Sequence, residues 1–292
     1  METKPKFTPS PNLKLIDQVR QVLRYHHYAF NTEITYCKWI LRYIKYFGVD
    51  RHPRKLGAKE VETFLSHLAT TDKVSAATQR QALNSIVFLY KNVLNIEIKD
   101  NIAPIRAKRR PRLPVVMPVE ETRAVLNRMQ GHHLLMAELL YGAGLRLMEC
   151  IRLRVNCIDI ERGMIYVRLG KGGKDRGVPL PKTLAEKLNT QLETVRRIHT
   201  AYLAEGFGEA WLSEGFARKM GPGARDLGWQ YLFPAKKRSV DPRSGMERRH
   251  HVLASGLQKA VRAAVRRSGL TKRVSCHAFH RTYPGYCMKS FS

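Results

Sequence analysis

The chain has 292 residues, and 52 Lys and Arg stand against 24 Asp and Glu, a formal net charge of +28. A hydrophobic content of 43% is enough for packed cores, so disorder is excluded as the default. An excess of positive charge this large repels itself in a compact state unless a polyanion is the usual partner, which points to nucleic acid.

Five cysteines, Cys37, Cys150, Cys157, Cys276 and Cys287, form no C-x-x-C pair, which argues against a zinc centre or a disulfide framework and for a reducing compartment. The start, METKPKFTPSPN, lacks the apolar core of a secretory signal. The longest apolar stretch, His133 to Leu145, carries Glu138 and is too short for a bilayer. The expectation is a cytoplasmic protein.

The first hundred residues read as helices. Leu15, Ile16, Val19, Val22 and Leu23 form one stripe, and Tyr36, Ile40, Tyr43, Ile44 and Phe47 a second, closed by Gly48. Val61, Phe64, Leu65 and Leu68 form a third. Ser75 is an N-cap for a fourth, whose face is Gln79, Leu83, Ile86, Val87 and Tyr90. Four amphipathic helices with short connections make a small helical domain, expected over residues 13–104 after a tail of residues 1–12.

Residues 105–117 read as a linker, with prolines and the run Ala107-Lys-Arg-Arg-Pro-Arg-Leu-Pro114. Lys108, Arg109, Arg110 and Arg112 are placed there to follow a phosphate backbone, or else are solvated. A second domain, residues 118–292, opens with helical stretches near Val119–Met129 and Leu134–Leu145. Then Val155–Ile160, Met164–Leu169 and Arg176–Leu180 predict a three-stranded meander. Helices follow over Thr183–His199 and Val252–Arg267, separated by an irregular Gly- and aromatic-rich stretch at about 203–228. The fold class is mainly α with a small antiparallel β meander.

Three pieces carry chemistry together. They are Arg146 in Gly142-Ala-Gly-Leu-Arg-Leu-Met-Glu149, Lys171 in the turn Gly170-Lys-Gly-Gly-Lys-Asp-Arg176, and His277 in Ser275-Cys-His277. Taken singly, each is an ordinary surface Arg, hairpin tip or structural His. In this order they suit metal-free phosphoryl transfer on DNA. A guanidinium fork matches the charge on nonbridging oxygens, a lysine protonates the leaving oxygen, and a hydroxyl nucleophile stores the bond energy covalently. No cofactor and no metal is implied.

These residues resemble the tyrosine recombinase (phage integrase) family over about Leu13 to Phe279. The integron integrases are the subgroup most similar. That similarity rests on Tyr25-His-His-Tyr28 with Thr32-Glu33 and on an extra insert at Phe207–Asp226. It rests also on Trp229-Gln-Tyr-Leu-Phe-Pro234, Asp241-Pro-Arg-Ser-Gly245 and Arg248-Arg-His-His251. The resemblance implies an all-helical SAM-like core-binding domain and an incomplete catalytic domain that together clamp DNA. It implies Arg146 and Lys171 as catalytic and His277 as the start of an H-x-x-R box. It also implies binding of folded single-stranded sites with extrahelical bases, Trp229 stacking on one and Pro242, His250 and His251 surrounding another. A homo-oligomer on DNA follows from the same likeness.

The pattern then departs. The family places Arg three residues after this His, but position 280 is histidine and Arg281 comes one later, displaced by about 100° on a helix. Pro284-Gly285 halts any helix, and Tyr283 and Tyr286 lack the position of the family's nucleophilic tyrosine. The expectation is a tail out of frame or truncated from about His280, weakened assembly, and a chain that binds DNA without cleaving it. A non-catalytic protein that occupies recombination sites, and a basic helical RNA-binding protein, are the rival classes.

Overall fold

A computed structural model describes residues 7–98, 102–107, 115–168 and 175–283. The chain divides into two compact units, Met1–Arg112 and Leu113–Ser292.

The first unit is helical: α1 (Leu15–Tyr25), α2 (Phe30–Phe47), α3 (Ala58–Thr70) and α4 (Ala76–Phe88), the last running on into a π-helical turn, Leu89–Leu94. Its core holds Val19, Val22, Ile40, Tyr43, Phe64, Leu68 and Ile86, the apolar stripes legible in the sequence. Gly48 ends α2 at φ +97°, a conformation that favours a residue without Cβ. Ser75 caps α4, its Oγ accepting from the Thr78 amide at 3.2 Å.

The expected face of α4 is inward at Gln79, Ile86 and Tyr90, which are buried, and at Leu83, which packs on the core. Ala82, Ser85 and Leu89 are buried, whereas Val87 is exposed. The π turn puts Tyr90 inward, where its hydroxyl lies 2.9 Å from that of Tyr43 and reaches the Pro53 carbonyl at 3.0 Å. Packing across the helices widens the stripe expected from spacing and leaves Val87 out of it.

In the second unit α5 (Val119–Leu126), α6 (Gly131–Gly142) and α7 (Leu147–Ile151) precede the antiparallel sheet β1 (Ile158–Asp159), β2 (Met164–Val167) and β3 (Arg176–Pro179). The sheet order is β1-β2-β3, with Ile165 opposite Val178 and Val167 opposite Arg176. Next come α8 (Ala185–Ala204), α9 (Glu214–Met220), the short pair β4 (Ser239–Val240) and β5 (Glu247–Arg248), α10 (Ala254–Arg267) and α11 (Cys276–Arg281). The core is built on α6, with Leu139 and Leu140 against Leu257 and Val261 of α10 and Phe279 of α11. Burial of these side chains is the main driving term for this unit.

The first strand of the meander is shorter than expected. Residues Val155–Cys157 form a 3-10 turn, because the preceding chain pairs elsewhere. The Leu232 amide donates to the Leu153 carbonyl at 2.8 Å and the Val155 amide to the Gln230 carbonyl at 3.0 Å. That pairing brings Trp229 and Tyr231 up to the meander. The described cysteines, Cys37, Cys150, Cys157 and Cys276, are reduced and buried. No helix among the described residues is long and apolar enough to cross a membrane.

Candidate nucleic-acid interface

Arg146 stands at the N-cap of α7, just after a turn whose Gly144 has φ +60°. A Cβ at Gly144 would sit 2.9 Å from Cδ1 of Tyr283, so close packing as well as backbone conformation requires glycine there. The Arg146 amide donates to Glu149 Oε2 at 2.8 Å, and its Nη1 donates to Glu149 Oε1 at 2.8 Å. Arg176, the first residue of β3, donates to both oxygens of the same carboxylate, at 2.9 and 2.7 Å. The Glu149 side chain is 8% exposed, against 37% for Arg146 and 32% for Arg176.

Burial alone would push the Glu149 carboxyl up. The Arg176 fork, then the Arg146 amide and guanidinium, outweigh it and hold the group down at about 2. Two guanidiniums over one carboxylate leave one net positive charge beside a helix N-terminus. Such an arrangement is suited to an anionic oxygen.

Helix α11 lies over this turn. His277 and Arg281 are exposed, while His280 is half-buried. The His280 ring donates from Nδ1 to the Gly144 carbonyl at 2.8 Å. Burial lowers its pKa first; Arg146 and His277 lower it further, against the Gly144 hydrogen bond and Glu149. The ring is therefore within electrostatic reach of both Arg146 and His277. His280, not Arg281, takes the place three residues after His277 that faces the Arg146 turn. Thr282 closes the helix, its Oγ1 accepting from the Met117 amide at 3.2 Å.

A second cluster lies around Tyr231. The Arg154 guanidinium stacks 4.6 Å above the Tyr231 ring and donates to the carbonyls of Trp229 and Trp211. Trp229 is half-buried, its ring edge-on to Phe216 with centroids 5.0 Å apart. His250 and His251 pack on Tyr231, with centroids 5.2 and 5.1 Å away. His251 is 8% exposed, and its Nδ1 is 2.7 Å from the Val252 carbonyl. Burial drives its pKa down to about 4, with the neighbouring His250 and Arg152 adding to the fall. It is neutral at physiological pH. Pro242 and His250 keep accessible surface, and Pro242 is fully in the turn between β4 and β5.

Lys171, Lys108, Arg109, Arg110, Arg112 and Tyr286 lie outside the described residues. Sequence reasoning gave no role to Arg176 or Arg154. The Arg-x-x-Glu spacing at 146–149 is the one local signal of a carboxylate bound to a helix cap. Nothing in the sequence marks Arg176 as its other partner.

The family profile described as "Phage integrase, N-terminal SAM-like domain" matches residues 15–100, and that described as "Phage integrase family" matches residues 116–283. An "Integrase/recombinase" of Escherichia coli is 39% identical over 284 residues, covering 97% of this chain and 83% of that protein. The chain belongs to the phage integrase family of tyrosine recombinases.

Other relatives match part of it. "Tyrosine recombinase XerA" of Thermococcus kodakarensis is 32% identical over 164 residues, 54% of this chain and 54% of that protein. Among solved structures, a lambda integrase (75–356) dimer bound to a COC′ core site shares the fold at TM-score 0.60 and 15% identity. The likeness covers 95% of this chain and 90% of that one. The Tn1549 transposon integrase in complex with transposon right end DNA is similar at TM-score 0.60 and 14% identity, over 96% and 88%. The mainly helical fold with one small antiparallel sheet is thus that of this recombinase family.

Proposed function

We propose that this chain is a recombinase of the integron integrase type that binds recombination-site DNA and does not cleave it. By descent the activity is site-specific recombination, the capture or excision of gene cassettes through a 3′-phosphotyrosine link, with Arg146, Lys171 and His277 as its catalytic residues. The observation that carries the DNA-binding part is the Arg146 guanidinium, anchored by a buried carboxylate yet 37% exposed and left with net positive charge. Arginine remains protonated and aims a rigid fork at phosphate.

Two observations support loss of cleavage. His280 takes the inward position in which the family has arginine, and Arg281 is exposed one residue later. Tyr283, whose ring packs on Gly144, comes only six residues after His277 and lacks the position of the family's nucleophilic tyrosine. The register change at His280 supports a reading frame that leaves the family pattern there. The encoding DNA, read in its other frames downstream of His277, should contain the family's ending; finding none counts against a frameshift.

The base-binding part assigns an extrahelical base to Trp229 and a second to Pro242, His250 and His251. The accessible surface of Trp229, and the neutral aromatic floor of Tyr231 and His251, support it. Lys108, Arg109, Arg110 and Arg112 would follow the phosphate backbone.

The test is a suicide-substrate assay with nicked or folded recombination-site DNA, run on a denaturing gel. Binding without a covalent adduct is the expected result. An adduct mapped to Tyr283 or Tyr286 would overturn the non-cleaving reading. Affinity should also fall steeply with salt, since many cations meet phosphates. Preference for an RNA hairpin over the same DNA hairpin would favour an RNA-binding protein instead.

A further inference from the structure

The carboxylate of Glu149 has room for about four hydrogen bonds, and four are made. Oε1 accepts from Nη1 of Arg176 and Nη1 of Arg146; Oε2 accepts from Nη2 of Arg176 and the Arg146 amide. Arg176 therefore takes both oxygens in a parallel fork, while the Arg146 guanidinium takes one. Arg176 enters from β3, across 27 residues of sequence, and no role has yet been given to it.

Without Arg176, the physics changes sign. Arg146 and Glu149 alone carry no net charge, and the two oxygens vacated by the fork would draw Arg146 into a closed bidentate pair. A phosphate would then have to displace a carboxylate that is already well bonded. With Arg176 in place the carboxylate is satisfied from the other side, and the cluster is left with a net charge of +1.

We propose that Arg176 is a positioning residue: by holding Glu149 it keeps the carboxylate from neutralising Arg146, so that Arg146 meets a DNA phosphate. This rests on the reading of Arg146 as a phosphate-binding residue. Arg176 need not touch DNA. Its contribution passes through Glu149, and removing the Glu149 charge should therefore make Arg176 dispensable.

The experiment measures the affinity of the full chain for a fluorescein-labelled DNA hairpin of mixed sequence, by anisotropy, for four proteins: wild type, Arg176→Met, Glu149→Gln and the double variant. Arg176→Met should bind about tenfold more weakly, the scale of one charge-assisted hydrogen bond. The double variant should bind within about threefold of Glu149→Gln alone, because Arg176 acts only through that carboxylate. Arg176→Lys, which keeps the charge but not the fork, should fall between wild type and Arg176→Met.

A double variant about tenfold weaker than Glu149→Gln, with wild-type circular dichroism, would mean that Arg176 contacts DNA itself and would overturn the proposal. Equal affinity for Arg176→Met and wild type would overturn it as well. Should Arg176→Met fail to fold, Arg176→Gln, which retains a donor to Glu149, carries the same comparison. Absence of hairpin binding by the wild type would count against the DNA-binding reading alone. In that case titration with inorganic sulfate, followed by the Arg146 Nε–H resonance, decides the role of Arg176. Sulfate should move that resonance in the wild type and in the double variant, and not in Arg176→Met; the same displacement in all three would overturn the proposal.

Discussion

The Glu149 cluster and the Tyr231 cluster belong to the same unit and treat charge in opposite ways. Around Glu149 a buried carboxylate is kept ionised by two half-exposed guanidiniums, and the surplus is positive. Around Tyr231 burial empties the imidazoles of charge, and one guanidinium, Arg154, is spent on backbone carbonyls and an aromatic face. The first arrangement suits a phosphate, which asks for fixed charge; the second suits a base, which asks for a flat neutral surface. Base discrimination and backbone grip would then be separable by mutation.

The largest effect should come from Glu149. Glu149→Ala leaves two guanidiniums facing each other, and is expected to lower stability by about 3 kcal/mol, tempered by the solvent that reaches both arginines. The acid response follows. The folded-state pKa lies near 2, below the ordinary value of 4.5, so this contribution is complete above about 4.5 and is lost as pH falls towards 2. Urea denaturation across that range should show a drop in the wild type that Glu149→Gln lacks. Parallel pH profiles would sink the claim that the cluster depends on an ionised carboxylate.

The Tyr231 cluster should respond to acid earlier. His251 has a folded-state pKa of about 4, against an ordinary 6.5. The unfolded chain takes up the proton first, so stability is complete above about 6.5 and falls as pH drops towards 4. The loss should reach about 2–3 kcal/mol at pH 4, and His251→Asn should remove most of that slope. A variant with an unchanged slope would place the sensitivity in another of the depressed histidines, such as His132 or His133.

Much of this was legible in the sequence, and what was not has a common cause. The helical stripes of the first unit, Ser75 as a cap, and the β2–β3 hairpin follow from local spacing. Order alone singled out Arg146, Lys171 and His277 together, and the hydrogen bond that sets α11 on the Arg146 turn, from His280 to Gly144, had no signal in it. The Arg176–Glu149 fork was not, because it joins the end of a hairpin to a helix cap, and no periodicity reports that distance. The resemblance placed His251 around an extrahelical base, and no spacing showed that pairing of Pro234 with His251 turns its ring inward on Tyr231. Tertiary pairing again decided the shortening of the first strand.

Trp229 gives the sharpest separation of the two clusters. Trp229→Ala should weaken binding to a hairpin with extrahelical bases by about 1–3 kcal/mol and leave plain duplex affinity within experimental scatter. The Arg176→Met change should instead weaken both substrates alike, since every duplex offers phosphate. Equal losses on both DNAs for Trp229→Ala would remove the stacking role and reduce the tryptophan to packing against Phe216.

The smallest effects concern neighbouring residues on α11, and their contrast tests which of them belongs to the Arg146 turn. Arg281 is exposed, so Arg281→Ala should change stability by less than about 0.5 kcal/mol and DNA affinity by little more than one surface charge. His280→Ala removes the donor to the Gly144 carbonyl and should cost about 1 kcal/mol of stability. His280→Arg is the informative change. It restores a permanent cation three residues after His277, on the face towards Arg146, and should tighten DNA binding despite some repulsion from Arg146. If Arg281→Ala instead costs more affinity than His280→Arg gains, then the displaced arginine reaches the phosphate by a route the helix geometry does not suggest. The site would then be centred on the exposed side of α11, away from the turn that Gly144 allows and His280 holds.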